Sequence, residues 1–590
     1  MKNRFYSQTL LIQTAIIALG LCLTFLQAQR YANSIIFGDI IQYLDMSDAL
    51  SRFDWRNSVN SYWSPLYPVV LALFLKPLHV IPQNEILSLR ILNCILTIVG
   101  YFCFFRFFRV FRYWLFTTFR KAKLNRQLPS SKSFRIAGTC SAAFTFGVLN
   151  NAGNDTPDLL LASLLFLVLA LLLEILLRPQ LKKALWLGIL LGFAYLCKSI
   201  VFLLAPLCAL IIGTYKKEAK LAIAILLAFA LTASGWLVAI SLKEGQPTIS
   251  TNAYSTFVRT VMHQNQYYRV ANGLYLQNPP KIINQKPLVL DYDSSDAQPP
   301  GRYVEWWQPN IWVAGTPLIT NSEFLLTCIL QNLWFYTKSF AWIILLTWLI
   351  PGKNKFLKPN LKALQQLMPV LLIPLVMLCL YLFATNLYIY AFCARYVLVP
   401  AIIFFLAALA IPWTASPGFT RPNTTSAKAM SIIFLLSLVM QLYLHANANG
   451  TLKTNLSVSI ANYLRQKGVL PNSKIAVFKI CYELWPRYIK AKVSVALFNS
   501  SEYFKLPLEK QRDVIQKLRA SGVAAIVYVP REIDYIRSGP FLDDMHVFEF
   551  LSKTKLPLND VEDNPIPPSE SGWLKVPNEQ AYVLILDKEG

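Results

Sequence analysis

The sequence predicts a multi-pass α-helical membrane protein of about 11 spans with a C-terminal α/β domain outside the membrane. Three observations carry that reading. Of the 590 residues, 55% are hydrophobic, more than an ordinary soluble chain holds. Apolar runs of roughly 20 residues, the length that crosses a bilayer, recur up to residue 446 and then stop. The formal charge of +25 is gathered in the same part: residues 1–450 carry 37 Lys+Arg against 15 Asp+Glu, and residues 451–590 carry 19 against 16. A nucleic-acid-binding face would spread its cations over a polar domain instead of packing them between apolar runs, so no nucleic-acid partner is expected.

In chain order, spans are expected near 9–28, 86–109, 134–150, 158–177, 184–198, 199–215, 219–241, 333–351, 366–389, 394–413 and 428–446. The first follows MKNRFYSQ, runs longer than a signal peptide's apolar core and lacks a small-x-small cleavage site, so it reads as an uncleaved span. Short basic loops mark the cytoplasmic side of a membrane protein. With the N-terminus inside, the inner loops hold Arg112 to Arg135, Arg178, Lys182 and Lys183, Lys216, Lys217 and Lys220, Lys353 to Lys362, and Arg421 and Lys428. Only Glu174 and Glu218, among the 15 acids before residue 450, then face inward.

That topology defines a membrane domain over 1–449, with outer loops 29–85 and 242–332 and an outer turn NNAGNDTPD at 150–158. Residues 450–590 become an extracytoplasmic domain. Within the longer loop, the tryptophans of PPGRYVEWWQPNIW (299–312) suit the headgroup level. The tail has a different grammar. SVSIANYLRQKG (457–468) reads as an amphipathic helix, IAVFK (475–479) and KVSVALF (492–498) as strands, LEKQRDVIQKLRASG (508–522) as a helix and VAAIVYVP (523–530) as a strand. WLKV and YVLILD close it as a hairpin, which makes a small α/β domain. It has no GxGxxG, no P-loop and no His/Cys cluster. Of ten cysteines only Cys481 lies there and no CxxC occurs, which disfavours a disulfide scaffold or a cysteine zinc site.

The candidates for chemistry lie at the outer boundary. A helix over 38–52 would put Asp39, Gln42, Tyr43 and Met46 on one face and turn Asp45 and Asp48 away, with Asp48 and Arg52 as a surface i,i+4 pair. Asp39 is then the acid that points into a cleft, with N-capping of the helix as the structural alternative. Asp155 and Asp158 sit on a tight turn that Pro157 also makes an ordinary helix start. Lys198 interrupts LGILLGFAYLCKSIVFLLAP, where a charge needs a partner or a wet cavity, unless it snorkels. Arg395 in AFCARYVLVP holds a similar position. Cations beside carboxylates at one membrane level fit an anionic lipid headgroup: Lys or Arg stabilises a phosphate leaving group, and a carboxylate deprotonates an acceptor.

These residues resemble membrane glycosyltransferases of the GT-C superfold that use polyprenyl-phosphate sugars, including protein O-mannosyltransferases and aminoarabinose transferases. GD39-x3-Tyr43 followed by WSPLYP (63–68) is similar to that group's first outer loop. SLRILN (88–93), TPDLLLASLLFL (156–167), LGFAYLCKS (191–199) and ARYVLVP (394–400) continue the resemblance. It implies a GT-C-like fold and a transferase that moves a sugar from a polyprenyl-phosphate or diphosphate donor to a glycan, lipid or protein acceptor on the outer face. The setting implied is a bacterial inner membrane. By position, Asp39 matches the catalytic aspartate, Asp155 and Asp158 the acids that hold a divalent metal ion in some relatives, and Lys198 and Arg395 the cations at the donor phosphate. Tyr43 and Tyr396, inside the same motifs, complete the substrate-binding set. The first loop lacks the Asp-Glu pair of the protein mannosyltransferases, and the second lacks a DxD pattern. A transporter or flippase of lipid-linked saccharides is the rival reading, since many spans with buried cations also suit translocation.

Overall fold

A computed structural model describes residues 2–32, 39–122, 131–149, 152–252, 281–292, 358–359, 361–384, 399–400, 413–414, 424–447, 456–478, 484–497, 500–530 and 571–586, with single positions 326, 329, 330, 333, 403, 406 and 567. Arg395, Tyr396, the 299–312 segment and most of the expected spans at 333–351 and 394–413 lie outside the described residues.

The membrane part is a helical bundle. Its described helices are α1 (Lys2–Arg30), α2 (Asp39–Ser51), α3 (Trp55–Ser58), α4 (Leu66–Leu75), α5 (Glu85–Lys121), α6 (Ser131–Phe144), α7 (Asp158–Leu177), α8 (Leu181–Cys197), α9 (Leu204–Lys216) and α10 (Ala219–Glu244), followed by Leu361–Ala384 and Thr424–Asn447. Among the described residues, five helical segments are long and apolar enough to cross a membrane, within α1, α5, α7, the 199–216 stretch and α10. The expected break at Lys198 is real: α8 ends at Cys197, Lys198 is extended, and a short 3₁₀ turn leads into α9. Lys198 therefore stands at a bundle end rather than inside a span. Helices α8 and α10 approach closely because Gly188 and Gly192, four residues apart, carry no side chain there. A Cβ on Gly188 would sit 2.3 Å from the Ile225 carbonyl oxygen.

Contacts sort the charged residues to the two ends of the bundle. Glu174 near the end of α7 meets Arg106 of α5 and, at 3.2 Å, Lys183 at the start of α8. At the other end, the α5 residue Arg90 donates to the Tyr31 carbonyl just past α1 (3.0 Å) and pairs with Asp155 just before α7. Ser61, between α3 and α4, donates to Glu244 at the end of α10 (2.6 Å), and the Thr251 N–H donates to the Ser61 carbonyl (2.9 Å).

The described part of the tail folds as read. The helix Leu456–Gln466 ends before Gly468, whose φ of +82° suits glycine. Strands β5 (Lys474–Phe478), β6 (Lys492–Leu497) and β7 (Val523–Tyr528) pair in parallel around β5, and β8 (Leu574–Lys575) and β9 (Tyr582–Ile585) form the closing hairpin on β7. One feature was not legible. The loop at 242–332 contributes β1 (Lys281–Asn284) and β2 (Val289–Asp291) to the same sheet, giving the order β1-β2-β6-β5-β7-β9-β8, while β3 (Lys358–Pro359) and β4 (Trp413–Thr414) pair apart from it. Val289, Leu290 and Asp291 pair with Leu497, Ala496 and Val495, and Lys474 reaches Asp291 at 2.7 Å. Short segments of three or four residues carry too little periodicity to declare a strand until a sheet edge receives them.

Candidate active site

The end of the bundle that holds Arg90 is built on the turn before α7. Asn93 of α5 donates to the Ala152 and Asn154 carbonyls (2.9 and 2.8 Å), and Gln27 of α1 accepts from the Ala152 N–H (3.2 Å). Asp155, fully buried, takes the guanidinium of Arg90, whose side chain is 1% exposed. Held in this way, the turn starts α7 with Asp158 in its first turn, where the helix dipole favours a carboxylate. Asp158 accepts from Lys198 Nζ at 2.8 Å and from the Thr156 hydroxyl at 2.7 Å. The Lys198 side chain remains 24% exposed, so the pair lies at an accessible surface.

Helix α2 brings the other half. Asp39 is half-buried in its first turn, and Tyr43, one turn on, is buried. Burial pushes the Tyr43 hydroxyl well above its usual range, and the charges of Asp39 and then Asp158 push it further. It is therefore a neutral hydrogen-bonding group at any physiological pH. Both carboxylates lie within electrostatic reach of the Tyr43 hydroxyl. Aromatic rings wall it: Tyr43 packs edge-on against Trp63 and Tyr67, with centroids 5.1 and 5.2 Å away, so WSPLYP closes over α2. Of the residues expected in the site, the structure brings Asp39, Tyr43, Asp158 and Lys198 together. Asp155 faces Arg90 on the same turn.

Tyr67 is fully buried within electrostatic reach of Asp155, Arg90 and Asp158, and its hydroxyl has no hydrogen-bond partner among the described residues. Tyr67→Phe is expected to leave thermal stability within about 1 kcal/mol of wild type or to raise it, because an unsatisfied buried hydroxyl gives nothing back on folding. A clear fall in the melting temperature would reveal a bond the hydroxyl makes.

A divalent ion at Asp155 and Asp158 does not fit this donor set. Each carboxylate already faces a cation, Arg90 or Lys198, and no cluster of three or more His, Cys, Asp or Glu able to hold a metal occurs among the described residues. One other expectation changes. Asp48 does not serve as a plain surface partner of Arg52; together with Asp45 and Glu85 it binds Arg487 of the tail. Asp54 is the acid that stays local, capping α3 through the Asn57 N–H (3.3 Å). Arg90 and Arg487 were missed. Arg90 sits near the start of an apolar helix and Arg487 between Trp485-Pro486 and Tyr488, places where an isolated cation signals a buried acid.

Comparison with solved structures gives distant similarity. A crystal structure of ArnT from Cupriavidus metallidurans bound to undecaprenyl phosphate matches with 12% identity over 98% of each chain, at a TM-score of 0.48. A crystal structure of the Archaeoglobus fulgidus oligosaccharyltransferase in complex with Zn and sulfate matches with 13% identity over 87% of this chain and 67% of that one, at a TM-score of 0.43. No curated protein sequence matches significantly. Residues 66–276, which hold Arg90, Asp155, Asp158 and Lys198, match the family model of Glycosyltransferase family 87.

Proposed function

We propose that the chain is a membrane glycosyltransferase that moves a sugar from a polyprenyl-phosphate or diphosphate donor to an acceptor on the outer face of the membrane. The observation that supports it is the Lys198–Asp158 pair, accessible at the bundle end beside Asp39 and Tyr43 and lying within the segment that matches a glycosyltransferase family. Lys198 binds the donor phosphate. Asp158 holds the ammonium in place. An acceptor hydroxyl or amine attacks the anomeric carbon of the sugar, a new glycosidic bond forms, and the bond from that carbon to the phosphate oxygen breaks. The electron pair leaves on the phosphate, where Lys198 stabilises it. The acceptor's proton passes to Asp39. Tyr43, neutral and donor-capable, orients an oxygen of either substrate. No step is routed through a metal ion.

The test is transfer from labelled polyprenyl-phosphate sugars by the purified full-length protein. Lys198→Met is expected to lower kcat/KM by about 10²-fold or more, the usual cost of removing a group that neutralises developing charge. No turnover of any such donor by wild type would return the chain to the transporter reading, and full activity in Lys198→Met would remove Lys198 from the donor site.

A further inference from the structure

Helix α2 faces two partners. With about 100° per residue, Asp39 and Tyr43 share one side, while Asp45 and Asp48 fall roughly 240° and 180° away from Asp39 around the axis. Those two acids end on Arg487, in the short helix Trp485–Ile489 of the α/β domain. Arg487 is among the largest fully buried side chains in the protein. Its Nε and Nη2 grip Glu85 at 3.0 and 2.8 Å, Nη2 also reaches Asp48 at 2.8 Å, and Nη1 bonds Asp45. Burial works against the guanidinium charge, but Glu85, Asp45 and Asp48 outweigh it and hold its pKa well above the usual range. The cation is therefore permanent. It joins three elements that the backbone leaves separate: α2, the start of α5 and the extracytoplasmic domain.

We propose that Arg487 is a positioning residue for the transfer reaction: it clamps α2 from the side opposite Asp39 and so sets where the Asp39 carboxylate stands relative to Lys198. The α/β domain acquires a role by this route. It also ties down the second outer loop, through β2 on β6 and Lys474 on Asp291. Lys198 and Asp158 belong to the turns at α7 and α8, whereas the three acids that hold Arg487 belong to α2 and α5, so donor binding and acceptor activation are held by different supports. The proposal rests on the reading of Asp39 as the base.

Steady-state transfer by the full-length protein in lipid nanodiscs tests it, with labelled polyprenyl-phosphate sugar as donor. Arg487→Ala is expected to lower kcat about 10- to 100-fold, as displacements near 1 Å do, with donor KM within about twofold of wild type. Arg487→Lys should recover part of the loss. In an Asp39→Glu background, where the carboxylate is already displaced, Arg487→Ala should cost no more than about threefold, because the two changes act on one placement. Equal fold losses in both backgrounds, or a raised KM with kcat kept, overturn the proposal. If Arg487→Ala does not yield monodisperse protein, Asp48→Asn decides, since it removes only the most exposed of the three acids. A kcat reduced by about two- to fivefold at constant KM is expected there, and an unchanged kcat overturns the idea. Wild-type rates in Asp39→Asn would sink the base assignment and this proposal with it, whereas additive losses sink the proposal alone.

Discussion

Asp39→Asn is expected to lower the transfer rate by about 10²- to 10⁴-fold, the range that positioned general bases contribute. The amide keeps the shape of the side chain and the first turn of α2 but accepts no proton, so the loss should fall on kcat. Donor KM should hold, because Lys198 is held by Asp158 and Asp158 by the Thr156 hydroxyl, bonds in which the Asp39 carboxylate is not a partner. Initial rates at saturating donor, with thermal unfolding as the folding control, give the answer. A loss of less than about threefold would assign Asp39 to helix capping alone, since caps are worth only about 1 kcal/mol and act on stability rather than on turnover.

Arg90→Leu should give the largest stability effect. It strips the cation from a carboxylate that has no exposed surface, and breaking a buried pair in this way costs about 3–5 kcal/mol. The bond to the Tyr31 carbonyl goes with it, loosening the end of α1 from α5. Replacing both partners, Arg90→Leu with Asp155→Leu, should recover most of the loss, because the penalty comes from the abandoned charge more than from the missing attraction. The thermal midpoint of the purified protein in nanodiscs reads both. If the single variant unfolds at the wild-type temperature, Asp155 has another support. If the double variant is as unstable as the single, the effect lies in packing or in the Tyr31 contact.

Much of the fold was legible because its signals are local. The length of an apolar run, the lysines and arginines in short loops and the alternation in IAVFK or VAAIVY each act within a few residues. The helical step alone separates Asp39 and Tyr43 from Asp45 and Asp48, and that division holds in α2. What the step could not say was where the second face goes. Arg487 lies more than 400 positions from Asp45 and Glu85 in the chain, and no local pattern links them. The strands at 281–291 stayed hidden for the same reason, being strands only because β6 offers them an edge.

By itself, the sequence determined that this chain is membrane-embedded, that its tail is α/β, and that Asp39, Asp158 and Lys198 are the residues to examine. Hydrophobicity and charge decide those matters residue by residue, against lipid or water. Tertiary structure alone decided the pairings: Asp155 with Arg90, Asp158 with Lys198, and Asp45, Asp48 and Glu85 with Arg487. A buried charge needs a counter-charge within a few ångströms, and only the folded chain says which distant residue supplies it.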